Sequence, residues 1–302
     1  MEATPKSTQT PDVDVIYIET PHAFHKQNCL DAIAAGKHVL CEKAFTITAK
    51  ETQEVLTAAQ EKGVFIMEAM WTRFYPLVLT LCRMLHEEKV IGDIRRTFCD
   101  FGLDMNMSAL GPESRLKNPA LGAGSLLDIG IHSLTWGLLA LDAGNGETAE
   151  EPKIVATQTL SHSIDIASSI VLHYPKSGRQ GILTSTTEIK SDPVFCRIEG
   201  TEGYITVEGL AASVPSSFTV YAKNAGSATG DVEGEVKLAK GKTHTFEKTG
   251  KGFYWEADAV ALDIAAGRKE SAIMPHAETL RVMEMLDEIR RQGGARFPQD
   301  TQ

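Results

Sequence analysis

The order of elements over residues 13–67 constrains the fold of this chain more than any other feature. Residues 13–19 are a near-continuous apolar run, the pattern of a parallel strand buried on both faces. Residues 22–35 carry Phe24, Leu30, Ile33 and Ala34 at helical spacing, with Gly36 placed to stop the helix. Residues 38–41 read as a second buried strand. Thr48 and Glu51 make a capping box for a helix through Val55, Leu56 and Ala59, which Gly63 closes. Residues 64–67 are a third strand. With connections this short, the pattern predicts a right-handed parallel βαβαβ unit.

After Gly92 the pattern changes. A helix over about 76–89 leads up to that glycine, and residues 94–102, 154–160, 166–174, 181–188, 195–199, 204–207 and 218–222 then read as strands. Their connections are turn-like, as in Pro175-Lys-Ser-Gly178 and Gly200-Thr-Glu-Gly203. A large open, mostly antiparallel sheet is expected, interrupted by one long helix over about 125–141 and closed by helices over 254–266 and 276–291. Residues 225–236 are rich in glycine and acidic residues and read as a mobile loop. The expected division is a small α/β domain over 1–92 and a larger α/β domain over 93–302.

Composition narrows the partners. With 302 residues, 42% of them hydrophobic, two packed domains are affordable. A formal net charge of −10 argues against nucleic acid or an anionic membrane as the main partner. Five cysteines without close spacing make neither a disulfide framework nor a zinc site. Residues 1–11 are polar and lack the apolar core of a signal peptide, and no apolar stretch is seen to approach the ~20 residues of a membrane span. A cytoplasmic location is the expectation, which leaves the glycosylation pattern Asn106-Met-Ser108 without a role.

Three groups of residues draw attention chemically. Lys43 ends the second strand, and open α/β sheets bind ligands beyond the C-terminal ends of their strands; the plain alternative is a solvated lysine. Asp128 and His132 stand four apart on the long helix and share a face, either as a reactive pair or as a capping carboxylate and a core histidine. Trp71, Arg73, Phe74 and Tyr75 follow the third strand. The aromatics suit a core, whereas an unpaired buried guanidinium is costly, so Arg73 favours a binding role. His22 and His25 lack a third ligand nearby, and no metal is expected. Gly122-Ala-Gly124 and Gly241-Lys-Thr243 imitate phosphate-binding turns, but the first lacks a third glycine and the second has Val236 where a P-loop needs glycine.

Taken in order, Thr20-Pro21-His22-x-x-His25, Gly36-Lys-His-Val-Leu-Cys-Glu42-Lys43, Glu68-Ala-Met-Trp71-Thr-Arg73-Phe74 and Gly124-x-x-x-Asp128-x-Gly130-x-His132 resemble the Gfo/Idh/MocA oxidoreductases. The resemblance is nearest to the branch that includes dihydrodiol and NADP-dependent D-xylose dehydrogenases, and Gly252-Phe-Tyr-Trp-Glu256-Ala fits it too. It implies a Rossmann domain, a second domain whose open sheet forms a homodimer face, and hydride transfer between NAD or NADP and a sugar, cyclitol or diol. It also implies a catalytic role for Lys43, Asp128 and His132. Thr20, Pro21, His22, His25, Glu42 and Lys43 then fall on the cofactor, and Trp71, Arg73 and Phe74 on the substrate. The branch commonly has tyrosine at the position of His132, and Ala44 stands where the family has proline, so the substrate class stays open.

Oxidising an alcohol requires a base within hydrogen-bond reach of the hydroxyl. Lys43 would need burial and a neighbouring cation to serve as one near neutrality. In the doubly wound order the three strands match the second half of a Rossmann sheet, and the glycine turn for the pyrophosphate has no counterpart ahead of residue 13. The expected fold is therefore a truncated Rossmann-like unit, whose first strand is left as an edge for another segment or partner to cover. Besides a dehydrogenase, a cofactor-independent cyclase, isomerase or lyase, or a non-catalytic dimerising homologue, fits the same residues.

Overall fold

The computed structural model describes residues 10, 12–223 and 240–301. The mobile loop expected at 225–236 lies outside them.

The first unit forms as the periodicity dictates. Strands β1 (Val15–Ile18), β2 (His38–Glu42) and β3 (Ile66–Ala69) make a parallel three-stranded sheet in that order, so β1 is an edge among the described residues. Helices α1 (His22–Ala34) and α2 (Ala49–Lys62) connect them. The Thr48 side chain accepts from Glu51 N, as a capping box requires. The Glu51 carboxylate, however, takes Ile47 N rather than the N-cap amide. Gly63 ends α2 at φ +70°, a conformation open to glycine at no steric cost. A 3₁₀ turn (Trp71–Phe74) and α3 (Pro76–His86) follow.

The second unit is an eight-stranded sheet. Its strands are β4 (Ile94–Gly102), β5 (Lys153–Ser161), β6 (Ile164–His173), β7 (Gln180–Thr186), β8 (Val194–Gly200), β9 (Gly203–Ala211), β10 (Val214–Ala222) and β11 (Lys242–Thr245). Their spatial order is β11-β10-β9-β8-β4-β7-β6-β5, and every pairing is antiparallel except β4 with β7. The sequence did not announce β11. It is short and polar, and it exists because β10 offers it an edge. The Gly241-Lys-Thr243 mimic of a phosphate loop leads into it.

One face of this sheet is covered by α4 (Ile131–Leu141), which continues from a π-helical turn (Leu126–Gly130). Trp136 is fully buried there and its Nε1 donates to Ala212 O at 2.7 Å. Gly137 lies so close to Leu183 that a Cβ would stand 2.7 Å from Leu183 Cδ1. The stretch Pro119–Leu141 is, against expectation, long and apolar enough to cross a membrane by composition, yet 89% of its apolar window is buried inside the protein. A core helix sandwiched between sheet and neighbouring helices carries the same composition.

Two late helices, α5 (Tyr254–Ala265) and α6 (His276–Gly293), return to the first unit. Ile66 N donates to Lys269 O, and the Arg290 guanidinium reaches Ile47 O. Arg73 is not free to bind a ligand, contrary to its sequence reading. It is 4% exposed, and its Nη2 meets Glu278 Oε1 of α6 at 2.5 Å. Glu278 also accepts from Gly146 N and Arg281, so a hydrogen-bonded network offsets part of the cost of burying the charge, while Arg73 Nε has no partner among the described residues. Phe74, 3% exposed, belongs to the core beside it and is not among the residues lining the candidate site.

Candidate active site

Between the C-terminal ends of β1 and β2 and the start of α4 lies a cavity of about 480 Å³, a size usual for small-molecule sites. The turn after β1 contributes Thr20, Pro21 and His22; the end of β2 contributes Glu42 and Lys43. The 3₁₀ turn presents Trp71, the π turn presents Asp128 and α4 presents His132. An ammonium and an imidazole separated by 89 residues of chain thus face one space.

Lys43 Nζ donates to the backbone O of Asp128 at 2.5 Å and stands 3.9 Å from its carboxylate. The residue that Lys43 touches is thus an anion rather than the cation a lysine base would need, and Asp128 holds the side chain in place. Asp128 Oδ1 also accepts from Arg115 Nη1 at 3.0 Å. Burial acts to raise the Asp128 pKa, but Lys43 and Arg115 outweigh it and hold the carboxyl below its ordinary value.

His132 is 2% exposed, with the edge of Trp71 6.3 Å away and Phe101 5.6 Å away, centroid to centroid. Burial, seconded by Lys43, pushes its pKa well below the usual range, so the ring is neutral. His22 is likewise neutral: burial, His25 and Lys43 bring it down to about 4. Its Nδ1–H donates to Gly122 O at 2.9 Å.

His25, expected on the cofactor, sits behind the cavity wall instead. Its Nε2 is 2.7 Å from Thr20 O and its Nδ1 3.0 Å from Ala44 O, so the ring bridges the two strand-end loops. The helix of Asp128 and His132 also differs from expectation, because Asp128 lies on a π turn, wider than an α turn.

That turn has an anchor the sequence did not reveal. Asp165, 1% exposed at the start of β6, accepts from Ser125 Oγ (2.7 Å), Leu126 N (2.8 Å) and Ser168 Oγ (2.9 Å) through one oxygen. Gly124, at φ +130°, clears space for it: a Cβ there would stand 2.4 Å from Asp165 Oδ1. Other wall residues also escaped the sequence reading, among them Phe101, Arg115, Ser213, Lys251 and Phe253. Phe253 stacks on Trp71 at 4.3 Å and belonged to a quoted motif, but nothing local assigned it a role. Arg115 lies on an irregular loop whose course has no periodic signal.

A second cavity, about 500 Å³, opens along β1. It is lined by Val15, Tyr17, Leu40, Tyr254 and Val260 and by the buried carboxyl of Glu256. Glu256 Oε2 has no hydrogen-bond partner among the described residues, and burial raises the Glu256 pKa to about 9.

Comparison with known proteins agrees with this architecture. A family model described as an oxidoreductase family with an NAD-binding Rossmann fold matches residues 2–70, and one described as the GFO/IDH/MocA C-terminal domain matches residues 79–206. D-xylose 1-dehydrogenase (NADP(+)) of Hypocrea jecorina is 34% identical over 309 residues, spanning 98% of this chain and 76% of that protein. Trans-1,2-dihydrobenzene-1,2-diol dehydrogenase of Danio rerio is 32% identical over 294 residues, spanning 97% and 81%. Among solved structures, an aldose-aldose oxidoreductase from Caulobacter crescentus superposes with a TM-score of 0.74 at 23% identity, covering 94% of this chain and 78% of that one. A levoglucosan dehydrogenase complexed with NADH and levoglucosan gives 0.76 at 19%, covering 95% and 79%.

Proposed function

The chain belongs to the Gfo/Idh/MocA oxidoreductases, and from that premise we propose that it interconverts a hydroxyl and a carbonyl on a sugar, a diol or a related small molecule. The observation that carries the reading is the convergence of Lys43, Asp128 and the neutral His132 on one cavity at the strand tips.

The family's cofactor is a nicotinamide dinucleotide, which when bound supplies the hydride acceptor or donor. Thr20, Pro21, His22 and Glu42 fit its nicotinamide end, because they line the cavity beside Lys43. The described residues hold no glycine-rich turn for a pyrophosphate, so the fit extends to that end alone. NADP is our choice over NAD, supported by the NADP-dependent relative at 34% identity.

The protein's own residues divide the remaining work. Lys43, fixed by Asp128, donates a hydrogen bond to the reacting oxygen and steadies negative charge developing on it. His132 takes the hydroxyl proton and returns it in the reverse direction. Trp71 and Phe253 offer stacked aromatic faces to the carbon skeleton of the substrate.

Cofactor titration tests this directly. NADP(H) should raise the melting temperature, as any ligand of the folded state alone must, and D-xylose or trans-1,2-dihydrobenzene-1,2-diol should be turned over. No shift at millimolar NADP(H) or NAD(H), with no turnover, would turn the reading toward cofactor-free acid–base chemistry in the same cavity.

We further propose a homodimer through the outer face of the large sheet. Across that face the strand register aligns Val155, Val171, Ile182, Phe98 and Arg197, with Val155 61% exposed. Sedimentation should find a dimer that Val171→Lys weakens. The β1 edge and its apolar groove suit a covering polypeptide segment. A reducing, cytoplasmic setting suits the five free thiols.

A further inference from the structure

We propose that Thr72 selects the imidazole tautomer of His132 and so makes Nε2 the proton acceptor of the cavity, an inference that rests on the dehydrogenase reading above. Thr72 is fully buried in the 3₁₀ turn, one residue from Trp71. Its Oγ1 lies 3.2 Å from His132 Nδ1 and 3.4 Å from Ser213 O.

A hydroxyl has one proton to give. A backbone carbonyl can only accept, whereas a neutral imidazole nitrogen can take either part, so both contacts are satisfied together only when the Thr72 proton goes to Ser213 O. Toward the ring, Oγ1 is then left with lone pairs alone, and Nδ1 must carry the hydrogen. The ring is neutral and has one N–H, so Nε2 is bare. Nε2 makes no hydrogen bond within the described residues, and His132 lines the cavity.

The opposite arrangement has opposite chemistry. If Thr72 donated to Nδ1, the hydrogen would sit on Nε2 and face the substrate as a donor. Lys43 already supplies a donor there, and the Asp128 carboxylate is engaged by Lys43 and Arg115, so a second donor on the ring would leave the hydroxyl proton without a free nitrogen to take it. With the arrangement inferred, the O–H bond breaks, its proton joins Nε2, and Nδ1–H stays on Thr72 throughout. The electron pair left on oxygen would form the carbonyl, with the hydride taken up by the nicotinamide ring that a bound cofactor would supply. Asp128, which faces the same space, steadies the imidazolium. Thr72 touches no reacting atom and is a positioning residue.

Nitrogen-15 NMR of histidine-labelled protein tests the tautomer without needing turnover, with His132→Gln used to assign the signal. The wild type should show a protonated Nδ1 and an unprotonated Nε2. Thr72→Val, close to isosteric, should shift the ring toward the other tautomer or a mixture, and Thr72→Ser should restore it. With D-xylose and NADP⁺, Thr72→Val should lower kcat about 100-fold, leave KM within about threefold, and be rescued by serine. A proton on Nε2 in the wild type would overturn the proposal even if no variant folded. So would a Thr72→Val protein whose ring stays in the wild-type tautomer. An enzyme inactive on every alcohol, with the tautomers as inferred, would sink the dehydrogenase reading instead and leave the Thr72–His132 assignment standing.

Discussion

The two cavities flanking β1 are nearly equal in volume, about 480 and 500 Å³, and share Glu19 and Phe253 in their walls, yet they treat buried charge in opposite ways. In the first, the charges at its floor are paired: Lys43 with Asp128, Asp128 with Arg115, and Glu42 with the Tyr17 hydroxyl and Lys43 N. In the groove, Glu256 stays buried with one oxygen unpaired, and becomes a neutral acid instead of an anion. In the first cavity Lys43 and Asp128 are matched by residues from distant elements. The groove is largely apolar and leaves a polar group unmet. The two should therefore respond differently to substitution and to pH.

The largest effect belongs to the first cavity. Lys43→Met should lower kcat/KM by about 10³-fold or more while the melting temperature stays nearly unchanged, since one partly exposed lysine is lost and no cavity is opened. A variant that lost both activity and stability would mean that the paired site is itself a stability element.

Asp165→Ala comes next. Two hydroxyls and the Leu126 amide lose their acceptor, at a cost of about 3 kcal/mol in urea unfolding. Activity should fall as well, because the π turn bearing Asp128 is no longer capped. Unchanged stability would show that the turn is held elsewhere.

The pH responses sharpen the contrast. Glu256 ionises near 4.5 when unfolded but only near 9 when folded. Its contribution is therefore complete below pH 4.5 and is lost as pH rises toward 9. Glu256→Gln should flatten that alkaline decline and raise the melting temperature at pH 8 by about 2–4 °C. An equal gain at pH 4 would refute the ionisation account.

His22 works on the acid side. It titrates near 6.5 when unfolded and about 4 when folded, so its stabilisation is complete above 6.5 and is lost as pH falls toward 4. His22→Asn should gain about 1 kcal/mol at pH 5 relative to pH 7.5, in urea titrations at both values. The two responses overlap between pH 4.5 and 6.5, where their opposite slopes offset each other, so the wild type should be most stable in that range.

The βαβαβ unit, the open antiparallel sheet and the long helix were legible because each rests on local signals: period-two and period-3.6 apolar spacing, a Thr48 cap, Gly36 and Gly63 stops. The same signals placed Lys43 at a strand tip and Asp128 with His132 on one helical face, and these do meet. Arg73 was misread because the residue that neutralises it, Glu278, lies 205 positions away. His25 was misread because its partners are backbone carbonyls of two loops, which leave no mark in side-chain chemistry.

The sequence by itself determined which segments are strands and helices and which residues stand at their tips, because hydrophobic periodicity and capping act within a few residues. Only the tertiary structure decided which charges are paired, which histidine nitrogen is bare and where an acid stays protonated. Those outcomes depend on distances between groups far apart along the chain, and on the loss of water around them.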